Sequence, residues 1–247
     1  MYKTRYQLQA DQWLSEQLDR VSCNMIETRS GVPIEEILAT IPSPSFISAK
    51  VSADQKNATI ELCSSGFFLA DVAVTFEIGT SRDLPSSNKD ITLATPEDKQ
   101  ETMEVARLSF SYSRFHKDPH IDQLIANRIK MNWVANYFSG RRGTHMLLAK
   151  VGAKVVGFIQ LIETENAWRV DLIAVLPKFQ RDGIGAALLS AIKHIGENKK
   201  VIAGTQLCNL KSIRTYQKTG FQLLNAEYVF HRHEVSDKIK GEELRNM

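Results

Sequence analysis

The run Asp171-Leu-Ile-Ala-Val-Leu-Pro-Lys-Phe-Gln-Arg-Asp-Gly-Ile-Gly-Ala186 reads as a buried strand, a tight turn and the first turn of a helix. Leu172 to Leu176 is a short apolar run, and Pro177, with no backbone N–H to offer a sheet ladder, suits its end. Gln180, Gly183 and Gly185 follow, and Leu188, Leu189, Ile192 and Ile195 then recur at helical spacing. Glycines at a helix mouth admit a ligand close to the backbone, where the first N–H groups have no intrahelical partner. Such a mouth is a natural diphosphate site. The same glycine pair also fits a plain strand-to-helix turn, so the residues downstream have to decide.

Downstream, Asn209-Leu-Lys-Ser212-Ile-Arg-Thr-Tyr216-Gln-Lys-Thr-Gly220-Phe221 opens on an N-cap residue and closes on Gly-Phe, a helix stop followed by a new strand. Asn209 and Tyr216 are two helical turns apart and share one stripe. Alone, Asn209 is explained as a cap and Tyr216 as packing. Together with Gln180-x-x-Gly183-x-Gly185-Ala186, the order and spacing resemble the GNAT superfamily of acetyl-CoA-dependent N-acetyltransferases, from roughly Ile91 to His233.

That resemblance implies an α/β (α+β) fold, a central mixed sheet flanked by helices. It implies that Ile173, Ala174 and Val175 lie on a splayed strand that pairs with the pantetheine arm of acetyl-CoA. Gln180, Arg181, Asp182, Gly183, Ile184, Gly185 and Ala186 would then cradle the diphosphate, with Asn209 bonding the cofactor arm. Tyr216 would be the catalytic proton donor to the departing thiolate, since an unperturbed tyrosine, with a pKa of about 10, is protonated at neutral pH. Acetyl-CoA is thus the expected co-substrate, with no metal.

A closer likeness is to the nucleotide-sugar amine acetyltransferases, such as those acting on TDP-fucosamine. Ser113-Arg-Phe115, Gly204-Thr-Gln206, Asn209 and Tyr216 carry it. It implies that Arg114 and Phe115 help hold a nucleotide sugar, as a guanidinium meets a phosphate. Thr215 departs from that group, which has arginine directly before its tyrosine; here Arg214 stands one place earlier. The acceptor therefore stays open between a nucleotide-linked amino sugar and a peptide, amino acid or polyamine amine. A non-catalytic acyl-CoA-binding module is a further reading, against which Tyr216 argues. Asp171, Glu163 and a water chain are all open as the base that deprotonates the amine.

The chain has 247 residues, 43% of them hydrophobic and 24% charged, ordinary values for a soluble globular protein. No window offers eighteen consecutive apolar residues, and Met1-Tyr-Lys-Thr-Arg-Tyr-Gln lacks the apolar core of a signal peptide, so cytoplasm is expected. Three cysteines at wide spacings, Cys23, Cys63 and Cys208, argue against a disulfide framework and a zinc site; Cys208 is expected to be a small core hydrophobe. Residues 1–90 hold 8 Lys+Arg against 12 Asp+Glu, and residues 91–247 hold 23 against 16. The basic excess thus falls on the half that carries the motifs, and suits anionic small-molecule ligands. It forms no stripe interleaved with aromatics, so neither nucleic acid nor membrane is an expected partner. A homodimer is compatible with the sequence.

Turn formers at 81–90 place a linker there, between a small α/β domain at 1–80 and a catalytic domain at 91–235, with a polar tail at 236–247. Thr95-Pro-Glu-Asp opens a helix whose buried face is expected to be Met103, Ala106, Leu108 and Phe110. Ser111 to His120 reads as a polar, aromatic loop, and Ile121 to Phe138 as a long amphipathic helix with Trp133 on its apolar side. Pro119 argues against alignment of His116 with His120 on one metal, and His231 and His233 are expected on an exposed strand edge.

One internal correspondence stands out. Ala49 to Glu77, shifted by 154 positions, reproduces the layout of Ala203 to His231, with Gly66-Phe67 on Gly220-Phe221 and Leu62 on Tyr216. The N-terminal domain therefore reads either as a partial copy of the same fold or as an ordinary strand-helix-strand unit that closes in Gly-Phe. It is expected to be inert, with leucine in place of the proton donor and no Gln-x-x-Gly-x-Gly before it.

Overall fold

The computed structural model describes residues 5–80, 89–196 and 199–234. The tail at 236–247 and residues 81–88 of the expected linker lie outside these. The chain forms two compact units. The first takes residues up to Val72, Lys117–His120 and Ala226 onward, and the second takes Ala73–His116 and Ile121–Asn225.

In the first unit, β1 (Tyr6–Ala10) leads through α1 (Gln12–Leu18) to β2 (Val21–Glu27), its antiparallel neighbour. Asp11 caps α1 by accepting from the Leu14 N–H at 2.9 Å. Pro33 precedes α2 (Ile34–Leu38), which crosses to β3 (Ser45–Ser52), parallel to β2. Then come α3 (Lys56–Ser64) and β4 (Phe68–Ile78). Ile34, Ile47, Leu62 and Phe230 are buried in one apolar cluster between these elements.

The second unit contains β5 (Ile91–Leu93), α4 (Lys99–Ser109), α5 (Arg114–Lys117), α6 (Gln123–Phe138), β6 (His145–Val151), β7 (Lys154–Glu163) and β8 (Ala167–Val175). It continues with α7 (Ile184–Ala191), β9 (Lys200–Gln206), α8 (Leu210–Lys218) and the start of β10 (Gln222–Glu234). Its strands run in the order β4, β9, β8, β7, β6, β5, antiparallel except for β8 with β9. Parallel neighbours need a crossover, which α7 supplies. The buried face of α4 is Thr102, Val105 and Ala106, while Leu108 is exposed. Of the expected face, Ala106 is buried and Met103 and Phe110 are half-buried, so only Leu108 is out of place.

The internal correspondence extends to backbone geometry. α3 and α8 are nine residues each, start 154 positions apart, and begin from Gln55 and Asn209 at φ/ψ of −84/72° and −87/67°. Both end in a left-handed glycine, Gly66 at φ 81° and Gly220 at 89°. The phenylalanine after each donates its N–H back to the carbonyl of Leu62 (3.1 Å) or Tyr216 (2.9 Å). In each repeat the strand before the helix pairs with the strand that follows the other repeat's helix. β4 lies against β9 with Ala73 opposite Gln206, and β10 lies against β3 with Glu227 opposite Ser52. Shifting 73 up and 206 down by 154 turns the first pair into the second, so one register serves both. Hence the compact units do not break where composition does: β4 and β10 each contribute residues to both.

The chain just before α2 packs tightly against β1. A Cβ on Gly31, just before α2, would lie 2.1 Å from the carbonyl oxygen of Tyr6, and Tyr6 and Val32 exchange backbone hydrogen bonds of 2.9 Å. Strand β1 thus abuts the chain two residues before the α2 N-cap, and Leu62, fully buried, offers no proton.

Two sequence expectations are overturned in these elements. His231 and His233 are not on an exposed edge: β10 pairs with β3, His231 is fully buried, and both rings are directed at Asp118. Asp118 Oδ2 accepts from His231 Nδ1 at 2.6 Å and from His233 Nε2 at 2.9 Å. Cys208 is exposed rather than in the core.

Candidate active site

β8 and β9 pair from Ala167–Lys200 to Val170–Ala203 and then part, although β8 runs on to Val175 and β9 to Gln206. Asp171 sits where they separate. On the other side of β8 the register shifts there too, Leu161 facing Val170 and Gln160 facing Leu172, so Asp171 is the extra residue of a bulge. Beyond the fork, Ile173 and Val175 are half-buried while Leu172 and Ala174 point into the core. Among the described residues, no strand pairs with the backbone edge of β8 that faces away from β7 beyond Val170, and Ile173 to Val175 lie along that stretch.

At the end of β8, Pro177 to Phe179 form a 3-10 turn, and the Gln180 side chain donates to the Val175 carbonyl at 3.0 Å. Lys211 of α8 donates to the Gln180 Oε1 at 3.4 Å. Arg181 and Gly183 both adopt left-handed φ, 74° and 77°, on either side of Asp182. Alternation of this kind turns successive N–H groups into one concavity, and a non-glycine residue adopts it only where the surroundings hold it. Gly183 caps α7 without any side-chain bond. A Cβ on Gly183 would meet nothing within 4 Å, and one on Gly185 would meet only the Thr215 methyl at 3.8 Å. The mouth of α7 is therefore open to an anion, with the N–H groups of Ile184, Gly185 and Ala186 at the helix start.

α8 brings the remaining donors. Asn209 caps it, accepting from the Ser212 N–H at 3.2 Å, while its amide nitrogen donates to Ser212 Oγ (2.8 Å) and Thr205 Oγ1 (3.2 Å). The Tyr216 ring lies between Phe76 and Phe221, each 5.5 Å away between centroids, and only 2% of the residue is exposed. Its hydroxyl donates over 3.4 Å to the carbonyl of Gly204, the first β9 residue beyond the last pair with β8. The phenol thus stands at the fork, where its long bond is weak enough to exchange. Burial pushes its pKa above the ordinary tyrosine value.

A second group of side chains lies on the α6 side of β8. Asp171 accepts from Trp133 Nε1 at 3.0 Å, Gln160 Nε2 at 2.9 Å, Arg142 Nε at 2.7 Å and Arg142 Nη2 at 2.6 Å. Three of these donors converge on Oδ2 and one on Oδ1, so in this arrangement Asp171 organises its neighbours. Glu163 is likewise engaged, by Lys199 at 2.8 Å. The Arg142 guanidinium lies 4.7 Å from the Trp133 ring and the Lys130 ammonium 4.6 Å from it. Phe115 is 1% exposed and packs in the core, with the Arg114 guanidinium 4.7 Å above its ring, so Phe115 has no surface to offer an acceptor. Ser113 Oγ and His116 Nδ1 are 2.6 Å apart, and His116 Nε2 and Asn127 Oδ1 are 3.0 Å apart, so this stretch is a pinned turn rather than a solvated loop.

Sequence reasoning missed Lys130, Arg142 and Gln160 and took Trp133 for core. Residues 101–221 match the acetyltransferase (GNAT) family. This chain carries a GNAT acetyltransferase domain. Beyond the GNAT match itself, the chain is 35% identical over 139 residues to the spore coat polysaccharide biosynthesis protein SpsD of Bacillus subtilis (strain 168), covering 55% of this chain and 48% of the relative. It thus spans about half the length of that relative. Among solved structures, a tandem GNAT protein from the clavulanic acid biosynthesis pathway superposes with a TM-score of 0.60 at 11% identity, over 93% of this chain and 79% of the other. A GCN5-related N-acetyltransferase from Sphaerobacter thermophilus gives 0.59 at 13% identity, over 92% and 76%. At such identities the likeness concerns the GNAT fold alone. No helix among the described residues is long and apolar enough to cross a membrane.

Proposed function

We propose that this chain moves an acetyl group from acetyl-CoA to the amine of a nucleotide-activated amino sugar resembling TDP-fucosamine, in the cytoplasm, with Tyr216 as general acid. The observation that carries the reading is the coincidence, at one fork, of a free strand edge, an unblocked helix mouth and a tyrosine hydroxyl. Ile173, Ala174 and Val175 would bind the pantetheine arm. Gln180, which ties the loop to β8, would shape the diphosphate cradle of Arg181 to Ala186, and Asn209 would hold α8 in place beside it. The amine attacks the thioester carbon, the carbon–sulfur bond breaks, Tyr216 gives its proton to the sulfur, and the proton lost by the new amide nitrogen returns through water to the phenolate. Because burial favours the neutral phenol, Tyr216 holds its proton across the physiological range.

Two observations support the acceptor class. The SpsD relative is named for polysaccharide biosynthesis, and the α6 side of the cleft gathers Lys130, Arg142 and Arg114, which suits an anionic acceptor better than a polyamine. The test is thiol release from acetyl-CoA with TDP- and UDP-linked amino sugars, a polyamine and a peptide amine compared side by side. Preference for the sugar nucleotides by ten-fold or more in kcat/KM is expected. Preference for either of the others would replace the acceptor while leaving the chemistry intact.

A further inference from the structure

Lys130, on α6, is in an unusual position for a lysine. The residue is 8% exposed, its ammonium lies 4.6 Å from the Trp133 ring and 5.0 Å from the Phe110 ring, and among the described residues no carboxylate lies within ion-pair distance of it. Lysine is almost never buried unpaired, because taking an ammonium out of water without a counter-charge is strongly unfavourable. Aromatic faces return only part of what that desolvation demands. The charged groups acting on it are Arg114, Asp171 and Arg142. Asp171 is the sole anion of the three, and Arg142 already holds it through both oxygens. The fully buried Gln160 beside Asp171 leaves its carbonyl Oε1 without a partner in the protein. The place thus has cationic charge in excess of what its carboxylate balances, while the unmet Gln160 acceptor calls for a hydroxyl or amine donor rather than for an anion.

We infer that Lys130 is the base of an oxyanion subsite on the α6 side of the cleft, where a phosphate of the acceptor is the missing counter-ion. The inference deepens the proposed acceptor class and rests on it for its kinetic arm, though not for its binding arm. A phosphate diester is always ionised near neutrality, so it supplies the charge whatever the pH, while Lys130 must be protonated to receive it. Burial, and the Arg114 charge to a lesser degree, push the Lys130 pKa down to about 8. Binding an anion beside it raises that value, so the complex takes up a proton near pH 8.

The experiment titrates the CoA-saturated protein, whose diphosphate cradle is then filled, with UDP-glucose and separately with sulfate. Neither probe titrates at pH 8, and glucose serves as the uncharged control. Calorimetry in buffers of differing ionisation enthalpy reads the protons. Uptake of about half a proton with UDP-glucose, abolished in K130M and K130Q, is expected. Uptake with sulfate as well would mean that any free oxyanion is accepted; uptake with UDP-glucose alone would assign the site to a sugar nucleotide. No uptake with either probe, or the same uptake in both variants, overturns the inference and leaves Lys130 as a packing residue. In turnover, K130M should raise the KM of a nucleotide amino sugar 10- to 100-fold with kcat and the KM of acetyl-CoA within about two-fold. If uptake is seen but no sugar nucleotide is acetylated, the anion subsite stands and the acceptor class of the proposed function falls.

Discussion

At the scale of single residues, the site separates groups that react from groups that hold them. Tyr216→Phe keeps the ring between Phe76 and Phe221 and removes only the proton, so acetyl-CoA affinity should be preserved while turnover falls roughly 10²-fold, the scale of general acid catalysis. Unchanged kcat would show that another donor protonates the thiolate. Lys130 makes a separate prediction about stability. Its folded pKa of about 8 lies below the usual lysine value, so the unfolded chain binds more protons between about pH 8 and 10.4. Wild-type stability should therefore rise with pH across that window, by about 3 kcal/mol relative to K130M, as denaturant unfolding at several pH values would reveal. The sequence disclosed Tyr216 because its neighbours at fixed offsets form a helix bounded at both ends. It could not disclose Lys130, Arg142 or Gln160. Each lies on a different element, and a lysine amid apolar residues of an amphipathic helix ordinarily reads as a solvated face.

Elements decide what those residues can reach. Gly185 differs from Gly183 in that only Gly183 has a left-handed φ, so Gly185→Ala replaces a poor helix former by the best one and should leave stability equal or higher by up to about 1 kcal/mol. Its methyl would stand where the backbone meets the diphosphate, and the KM for acetyl-CoA should rise about ten-fold. A variant with lowered thermal stability and normal KM would assign the glycine to packing instead. On β10, burial works against the Asp118 charge, but the hydrogen bonds from His231 and His233 outweigh it and hold its carboxyl well below the usual carboxylate range. A depressed pKa adds stability that is complete above the unfolded value of about 3.9 and is lost as pH falls through and below it. The stability gap between wild type and Asp118→Asn should thus narrow as pH falls below about 4, as thermal unfolding would show. The strand-turn-helix at 171–186 was legible because glycine and proline have few reasons to occur in that order. The environment of His231 was not, because nothing in an alternating strand says which partner will cover it.

At the scale of the whole molecule, the two repeats are bound by their pairing. A fragment starting at residue 91 would lack β4, leaving β9 with one bare edge and the Tyr216 ring without Phe76. Such a fragment should be insoluble or lack a cooperative unfolding transition, whereas residues 5–234 should unfold in a single step by far-UV circular dichroism. Two independent transitions would disprove mutual dependence. The shift of 154 positions was readable from Gly-Phe and the strands beyond, because a left-handed helix stop fixes the chain's direction locally. The exchange itself was not readable, since identical spacing arises whether a strand returns to its own repeat or crosses to the other. That crossing has a practical meaning: neither strand-helix-strand segment can be excised without stripping a sheet neighbour from the other.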